Sequence, residues 1–256
     1  MTIPLSVGPM STPIAAFFDV DNTLLRGASL FHLGKGARRR GIVTLPMLAR
    51  FAVKAASFML VGENRHHLEQ VRIQALEVIK GQTRADLRGL AEEIYEKYLA
   101  RAIWPETLGL AHDHISKGHQ VWLVTSTPDF LANVIAERLG LTGAMGTPLE
   151  TEDDVYTGQL SGPLMHGSGK ADAVALTASH IGAPLGECWA YSDSANDIPL
   201  LTLCGNRIAV NPDRTLRRHA VASGWSIMDL TVASIREARR RVRREGRQAR
   251  RTPGRP

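Results

Sequence analysis

Cysteine and aromatic residues are scarce in this sequence of 256 residues, in which aromatics make up 5%. The two cysteines, Cys188 and Cys204, are too few for a disulfide framework, and their spacing does not suit a zinc site. Secreted small domains depend on disulfides, so a reducing compartment is expected, with the cytoplasm as the default location. Both thiols are predicted to be buried as small apolar side chains.

Long apolar runs are also rare. The most apolar stretch, residues 42–61, is twenty residues long, but on a helix Pro46, Arg50, Lys54 and Ser57 would form one polar stripe with two charges at its centre. Charge at that depth is costly in a bilayer, so a solvent-facing stripe on a helix is the preferred interpretation. A helix that lies on a membrane or frames an apolar substrate is the alternative.

The excess of positive over negative charge is confined to the C-terminal end of this sequence. The formal net charge is +6, but residues 231–256 hold ten arginines beside Glu237 and Glu245 and carry +8, which leaves −2 for the rest. This tail has little apolar content and is predicted to be disordered. Alternatively, the tail makes weak contacts with an anionic membrane or with nucleic acid. Contact with a membrane would give the protein a membrane-peripheral location. Residues 1–12 lack the pattern of a secretory signal and are predicted to form a flexible leader. No specific protein partner is predicted.

Four short apolar runs each end in polar residues and are followed by helix-like segments, as buried parallel strands are. The runs lie at residues 14–20, 120–124, 188–191 and 207–210. After the second run, Thr127 is the predicted N-cap of a helix whose first residue is Pro128. This alternation predicts an α/β fold, a Rossmann-like parallel sheet with helices on both faces.

Residues 28–103 show helical periodicity without comparable strand signals, most clearly in segments 68–80 and 85–99. They are predicted to form an all-helical cap inserted into the core domain. The core domain is then discontinuous and consists of residues 13–27 and 104–230.

Acidic side chains follow the predicted strands, and ligands of open α/β sheets bind at the carboxyl ends of the strands. Asp19 and Asp21 are spaced so that a strand end can aim both to one side. One carboxylate can attack phosphorus, while its neighbour protonates the leaving oxygen and later activates water. Asp193 and Asp197 add the hard oxygen ligands that suit Mg²⁺.

Basic and hydroxyl groups supply the opposite charge. Lys170, Thr125 and the backbone amides at the start of the helix after Pro128 provide a cation and hydrogen-bond donors for phosphate oxygens. His66, His67, His112 and His114 could bind a metal, but they are predicted to be ordinary exposed histidines on surface helices.

The ordered set of motifs resembles the haloacid dehalogenase-like phosphohydrolases, and specifically the subfamily IB branch with a helical cap, which includes phosphoserine phosphatases. The matching segments are residues 19–24, 123–126, 169–170 and 191–197. The resemblance covers about residues 14–230, and the first and fourth segments are the most specific.

The resemblance implies a role for each residue at the predicted strand ends. Asp19 would form a covalent aspartyl-phosphate, and Asp21 would act as general acid and base. Mg²⁺ would be bound by Asp19, the backbone carbonyl of Asp21 and Asp193, with Asp197 supporting. The substrate phosphate would be bound by Thr125, Ser126, Lys170 and Asn196, and Lys170 would also offset the charge of Asp19.

The cap departs from the phosphoserine phosphatase pattern. The glutamate that meets the substrate amino group in that family is replaced by Ala28, and the position of the arginine that meets the carboxylate aligns with Ala75, three residues from Arg72. Each lost partner would leave a charged group of phosphoserine unpaired, at a cost of about 1 to 3 kcal/mol. Alternatively, other charged residues fill these roles, namely Glu63, Arg65, Arg72 or Arg84.

The expected function is Mg²⁺-dependent hydrolysis of a small-molecule phosphomonoester. Phosphoserine is one candidate substrate, and an amphiphilic phosphate such as a lysophospholipid is the alternative, since the stretch 42–61 would suit an apolar leaving group. A second hypothesis is a non-catalytic adaptor that uses the Arg-rich tail, but no acidic residue of the four motifs is lost. A third is transfer of the phosphoryl group to an acceptor other than water.

Overall fold

The computed structural model describes residues 12–43, 76–237 and 240. Its strands are β1 (Ala15–Phe18), β2 (Gln120–Pro128), β3 (Gly143–Thr147), β4 (Leu149–Glu152), β5 (Val155–Leu160), β6 (Trp189–Ser192), β7 (Asn206–Val210) and β8 (Ser226–Met228). Within these ranges, six strands form a parallel sheet in the order β3-β2-β1-β6-β7-β8, and β4 and β5 form an antiparallel pair.

The helices of the described ranges alternate with the strands of the sheet. They are α1 (Ser29–Arg39), α2 (Arg84–Lys97), α3 (Pro105–Ser116), α4 (Asp129–Leu139), α5 (Ser168–Ile181), α6 (Ile198–Leu203) and α7 (Arg214–Ala222). Residues 76–79 and 232–237 are also helical. In this part of the chain, no helix combines the length and apolar character needed to cross a bilayer.

Helices cover both faces of the sheet, as the sequence predicts. In β1, Ala16 and Phe18 belong to a core cluster shared with α2, α3 and α4. Ala15 and Phe17 point to the other face, where the core includes residues of α5, α6 and α7. Because successive side chains of a strand point to opposite faces, a continuous apolar strand is required at this central position.

The order of the strands locates the site. The chain runs outward from β1 through β2 to β3, and then returns to place β6 on the other side of β1. The loops after β1 and β6 therefore leave the sheet in opposite directions, and a crevice opens between them at the carboxyl edge. The residues directly after β1 and β6 include Asp19 and Asp193.

The predicted cap is represented by α1 and α2, because residues 44–75 lie outside the described ranges. Gly36 of α1 is buried, and a Cβ atom there would lie 2.7 Å from Cγ1 of Ile94 in α2. The absence of a side chain thus lets the two helices approach closely. Helix α2 contacts α4 of the core, where Arg88 forms an ion pair with Glu137. The division into cap and core remains a prediction.

Several local expectations differ from the structure. Thr127 does not cap α4, since β2 continues through Pro128 and the helix begins at Asp129. Strands β3, β4, β5 and β8 have no counterpart among the predicted runs. β3 contains two glycines, and β8 spans three residues, so neither offers a long apolar signal.

Candidate active site

Asp19 and Asp197 are joined by the ammonium group of Lys170. Nζ of Lys170 lies 2.6 Å from Oδ1 of Asp19 and 2.7 Å from Oδ2 of Asp197, and all three residues are buried. Asp197 also accepts a hydrogen bond of 2.7 Å from the hydroxyl of Ser192 at the end of β6. The backbone N–H of Asp19 donates to the carbonyl of Tyr191, which fixes the start of the loop after β1.

The charges of this cluster depend on one another. Burial raises the pKa of Asp19 to about 6, although the ammonium of Lys170 opposes that shift. Burial alone would lower the pKa of Lys170, but the carboxylates of Asp19 and Asp197 outweigh burial and raise it. Lys170 is therefore held as a cation, as a group that offsets the charge of a carboxylate nucleophile must be.

Asp193 adds another carboxylate on the β6 side of the crevice. Burial and then the charge of Asp19 raise its pKa to about 7, while a hydrogen bond from the side chain of Asn22 opposes the shift. Asn22 has a φ of 56°, in the left-handed region that asparagine tolerates, and its Oδ1 accepts a hydrogen bond from the backbone of Gly27. The loop after β1 thus reaches across to Asp193.

Asp21 lies at the beginning of α1. Its Oδ1 accepts a 2.8 Å hydrogen bond from the backbone N–H of Ser29, the first residue of that helix. Burial raises the pKa of Asp21, which favours the protonated form that a general acid needs, although the hydrogen bond from Ser29 opposes the shift. The predicted acid/base residue is therefore attached to α1, the first described helix of the predicted cap.

A chain of buried hydroxyl groups connects α1 with the end of β2. The hydroxyls of Ser29 and Thr127 lie 2.6 Å apart, and the hydroxyl of Thr125 donates to that of Thr127 at 3.1 Å. All three residues are buried, so each hydroxyl depends on its neighbours for hydrogen bonds. Ser29 belongs to none of the sequence motifs, and Thr127 is predicted from the sequence to be a helix N-cap.

The remaining predicted phosphate ligands are less closely connected. Ser126 is half-buried, and its carbonyl accepts a hydrogen bond from the hydroxyl of Thr147. Asn196 is exposed, and its backbone N–H donates to the hydroxyl of Ser194. In the described ranges, no hydrogen bond joins either side chain to Asp19 or Lys170, and their contacts with phosphate remain predictions.

Among the charged residues that are alternative substrate contacts of the predicted cap, Arg84 contacts Thr151 and Asp154 in the β4–β5 hairpin. Glu63, Arg65 and Arg72 lie outside the described ranges.

His114 is buried, and the expectation that it is exposed is wrong. Its Nε2 lies 2.8 Å from the hydroxyl of Tyr191, and its Nδ1 lies 2.9 Å from Nδ1 of His119. Tyr191 in turn stacks on Phe18, with ring centroids 4.0 Å apart. The imidazole supports the strands that lead to Asp19 and Asp193.

The prediction that Cys188 and Cys204 are buried is confirmed.

Comparisons with known proteins agree with this arrangement. The family model for haloacid dehalogenase-like hydrolases matches residues 16–202. The chain is 46% identical over 226 residues to phosphoserine phosphatase SerB1 of Mycobacterium tuberculosis (strain H37Rv), covering 88% of this chain and 73% of that protein. It is 30% identical over 217 residues to the probable phosphatase Rv3661 of the same strain, covering 85% of this chain and 75% of that protein.

Solved structures show the same fold. A protein of unknown function from Bordetella pertussis Tohama I has a TM-score of 0.77 at 28% identity, covering 86% of this chain and 100% of that one. A phospho-aspartyl intermediate analogue of phosphoserine phosphatase has a TM-score of 0.58 at 20% identity, covering 85% and 93%, and this likeness concerns the fold alone. The chain therefore belongs to the haloacid dehalogenase-like hydrolase family and is an enzyme similar to its phosphoserine phosphatases.

Proposed function

We propose that this phosphatase is a Mg²⁺-dependent phosphomonoester hydrolase that forms an aspartyl-phosphate on Asp19. The observation that carries the proposal is the buried contact of Lys170 with both Asp19 and Asp197. Lys170 engages Oδ1 of Asp19, and in the described ranges Oδ2 has no hydrogen-bond donor. One carboxylate oxygen is thus neutralised by a cation, and the other is left to attack phosphorus.

The two half-reactions use the Asp19–Asp21 pair. Oδ2 of Asp19 forms a bond to phosphorus, the bond from phosphorus to the ester oxygen breaks, and protonated Asp21 gives its proton to the leaving oxygen. Asp21 then takes a proton from water, which attacks the aspartyl-phosphate and releases phosphate and the Asp19 carboxylate. Burial of Asp21 supports its first role, because burial favours the neutral acid.

The oxygen-rich crevice fits Mg²⁺. Asp19 is a buried carboxylate and Asp193 a half-buried one, and the charge of Asp19 helps to raise the pKa of Asp193. Carboxylate oxygens are the ligands that this ion prefers. Within the described ranges, no group of three or more histidine, cysteine or acidic side chains is arranged as a metal site. The proposed ligands are instead two side chains, Asp19 and Asp193, and the backbone carbonyl of Asp21. When bound, Mg²⁺ supplies positive charge that screens the repulsion between carboxylate and phosphate.

The contacts of Asp197 suggest a different main role from the metal-supporting role that the sequence predicts. Its Oδ2 is occupied by Lys170 and Ser192, so we propose that it mainly positions the lysine. Thr125 lies in the C-terminal half of β2, and a turn of its hydroxyl away from Thr127 would direct it to a phosphate oxygen. We therefore retain Thr125 and Lys170 as the proposed phosphate ligands that are best supported.

The test is phosphate release from a panel of phosphomonoesters that includes p-nitrophenyl phosphate, measured with Mg²⁺ and with a chelator. Asp19→Asn should lower kcat by about a thousandfold or more, because the amide is not a competent nucleophile. Asp172→Asn is the matched control, since Asp172 is exposed on α5 and should leave kcat unchanged. Turnover that survives Asp19→Asn, or that is insensitive to the chelator, would contradict the proposal.

A further inference from the structure

A cationic cavity of about 530 Å³ lies beside the loop that carries Asp21. Arg26, Arg101 and Arg236 line it, together with His32 of α1 and Tyr98 at the end of α2. Arg236 belongs to the helical residues 232–237 near the C-terminus, so this part of the chain closes one wall. Among the described residues that line the cavity, none is acidic.

Polar atoms at this cavity lack partners. Nδ1 of His32 and the hydroxyl of Tyr98 are buried without a hydrogen bond in the described ranges. The two rings stack with centroids 5.4 Å apart, and the ammonium of Lys35 lies 4.9 Å from the centroid of the Tyr98 ring. Buried polar groups are normally satisfied, so two unsatisfied atoms enclosed in the wall of one cavity are unusual. The arginines of the lining supply the donors that a polar ligand would need.

The cavity is close to the proposed acid/base residue. His32 follows Ser29 by three positions on α1, so the two residues share a helix face, and Ser29 binds the carboxylate of Asp21. His32 and Asp21 also interact electrostatically. Gly27, another lining residue, donates its N–H to Asn22 in the same loop. The loop after Asp21 and the first turn of α1 thus connect the proposed acid to the cavity, and a leaving group that follows this loop would reach it.

We propose that the cavity binds an anionic group on the leaving-group part of the substrate, through the guanidinium groups of Arg26 and Arg236. The inference rests on the proposed phosphatase function and narrows its substrate class to phosphomonoesters with a second anionic group. Guanidinium groups suit this role because they bind carboxylate and phosphate oxygens in a bidentate manner. The chain has Ala75 where a cap arginine would meet a carboxylate, and this cavity supplies arginines from two other segments.

The probe is a matched pair of substrates, 3-phosphoglycerate and glycerol 3-phosphate, whose leaving groups differ in a carboxylate and a hydroxymethyl group. The measured quantity is the ratio of their kcat/KM values. We expect the wild type to favour 3-phosphoglycerate by about tenfold or more, and Arg26→Gln and Arg236→Gln each to lower the ratio by roughly tenfold, as loss of a charged hydrogen bond does. Arg38→Gln removes an equal charge from the exposed surface of α1 and should leave the ratio within about twofold.

The outcomes separate this inference from the function on which it rests. Loss of p-nitrophenyl phosphate hydrolysis in Asp19→Asn tests the chemistry without involving the cavity. A wild-type ratio near one, or an equal fall of kcat/KM for both substrates in Arg26→Gln and Arg236→Gln, would overturn the cavity assignment while leaving the phosphatase intact. A fall of the ratio in Arg38→Gln that matches the other two variants would also overturn it, because the effect would then reflect net charge.

Discussion

The buried imidazole of His114 should make the protein less stable in acid. It contacts Tyr191 and His119, and it is 5% exposed. Burial lowers its pKa to about 4, and the positive charges of His119 and Lys117 act in the same direction. The unfolded chain leaves this imidazole in water, where its pKa is about 6.5. The folded state therefore requires His114 to be neutral, whereas the unfolded state binds a proton below pH 6.5.

The size of the effect follows from the two pKa values. Above pH 6.5 both states are neutral at this position, and the full stability is present. As the pH falls from about 6.5 to about 4, the unfolded state binds the additional proton and the free energy of unfolding decreases. A pKa difference between about 6.5 and about 4 corresponds to a loss of about 3 kcal/mol at most. Burial lowers the pKa of His119 too, so protonation of His119 in the unfolded state adds to the loss of stability in acid.

The assay is urea unfolding at several pH values between 7.5 and 4, with wild type, His114→Gln and His180→Gln compared at each pH. Glutamine keeps a hydrogen-bonding group near Tyr191 and does not titrate, so the variant should lose less stability on acidification than the wild type. His180 is exposed on α5, and its replacement should leave the decrease of the free energy of unfolding between pH 6.5 and 4 unchanged. Parallel curves for wild type and His114→Gln would refute the reasoning.

Two further substitutions test the buried network around Asp19. Lys170→Met should abolish turnover and lower the free energy of unfolding by about 3 kcal/mol, because Asp19 and Asp197 would be left without their cation; unchanged urea stability would contradict the ion-pair assignment. Thr127→Val should cost about 2 kcal/mol and reduce kcat/KM, since the hydroxyls of Ser29 and Thr125 both lose a partner. Thr202→Val on α6 is its control, and equal effects of the two changes in unfolding and kinetic measurements would argue against a specific role of the hydroxyl chain.

The acidic residues of the site were predictable because each follows an apolar strand. A parallel sheet gathers the ends of its strands at one edge, so residues as distant as Asp19 and Asp193 could be expected to lie close together. Lys170 is the third residue of α5 and not a strand end, so its place in the site follows from the order of the motifs. The order of motifs then supplied the family. Strand ends are a property of local pattern, and local pattern can be read directly from a sequence.

Contacts between hydroxyl groups carry no such pattern. Ser29 and Thr127 are 98 positions apart, and their meeting depends on how α1 docks against the end of β2. For His114, in contrast, the sequence does contain a signal of burial, because His114 follows Leu110 and Ala111 by four and three positions and lies on the same apolar helix face. The prediction of exposure treats the whole helix as a surface element, whereas the buried position of His114 follows from the helix face on which it lies.

The short helix at residues 232–237 alters how the Arg-rich end of the chain should be regarded. Composition alone suggests a dispensable charged extension, yet Val232, Ile235 and Arg236 form a wall of the cavity next to α1. A truncation designed to remove the arginines by cutting before residue 231 would open that wall to solvent. Boundaries chosen for expression would then change which molecules the enzyme prefers, even though every acidic residue of the crevice stayed in place.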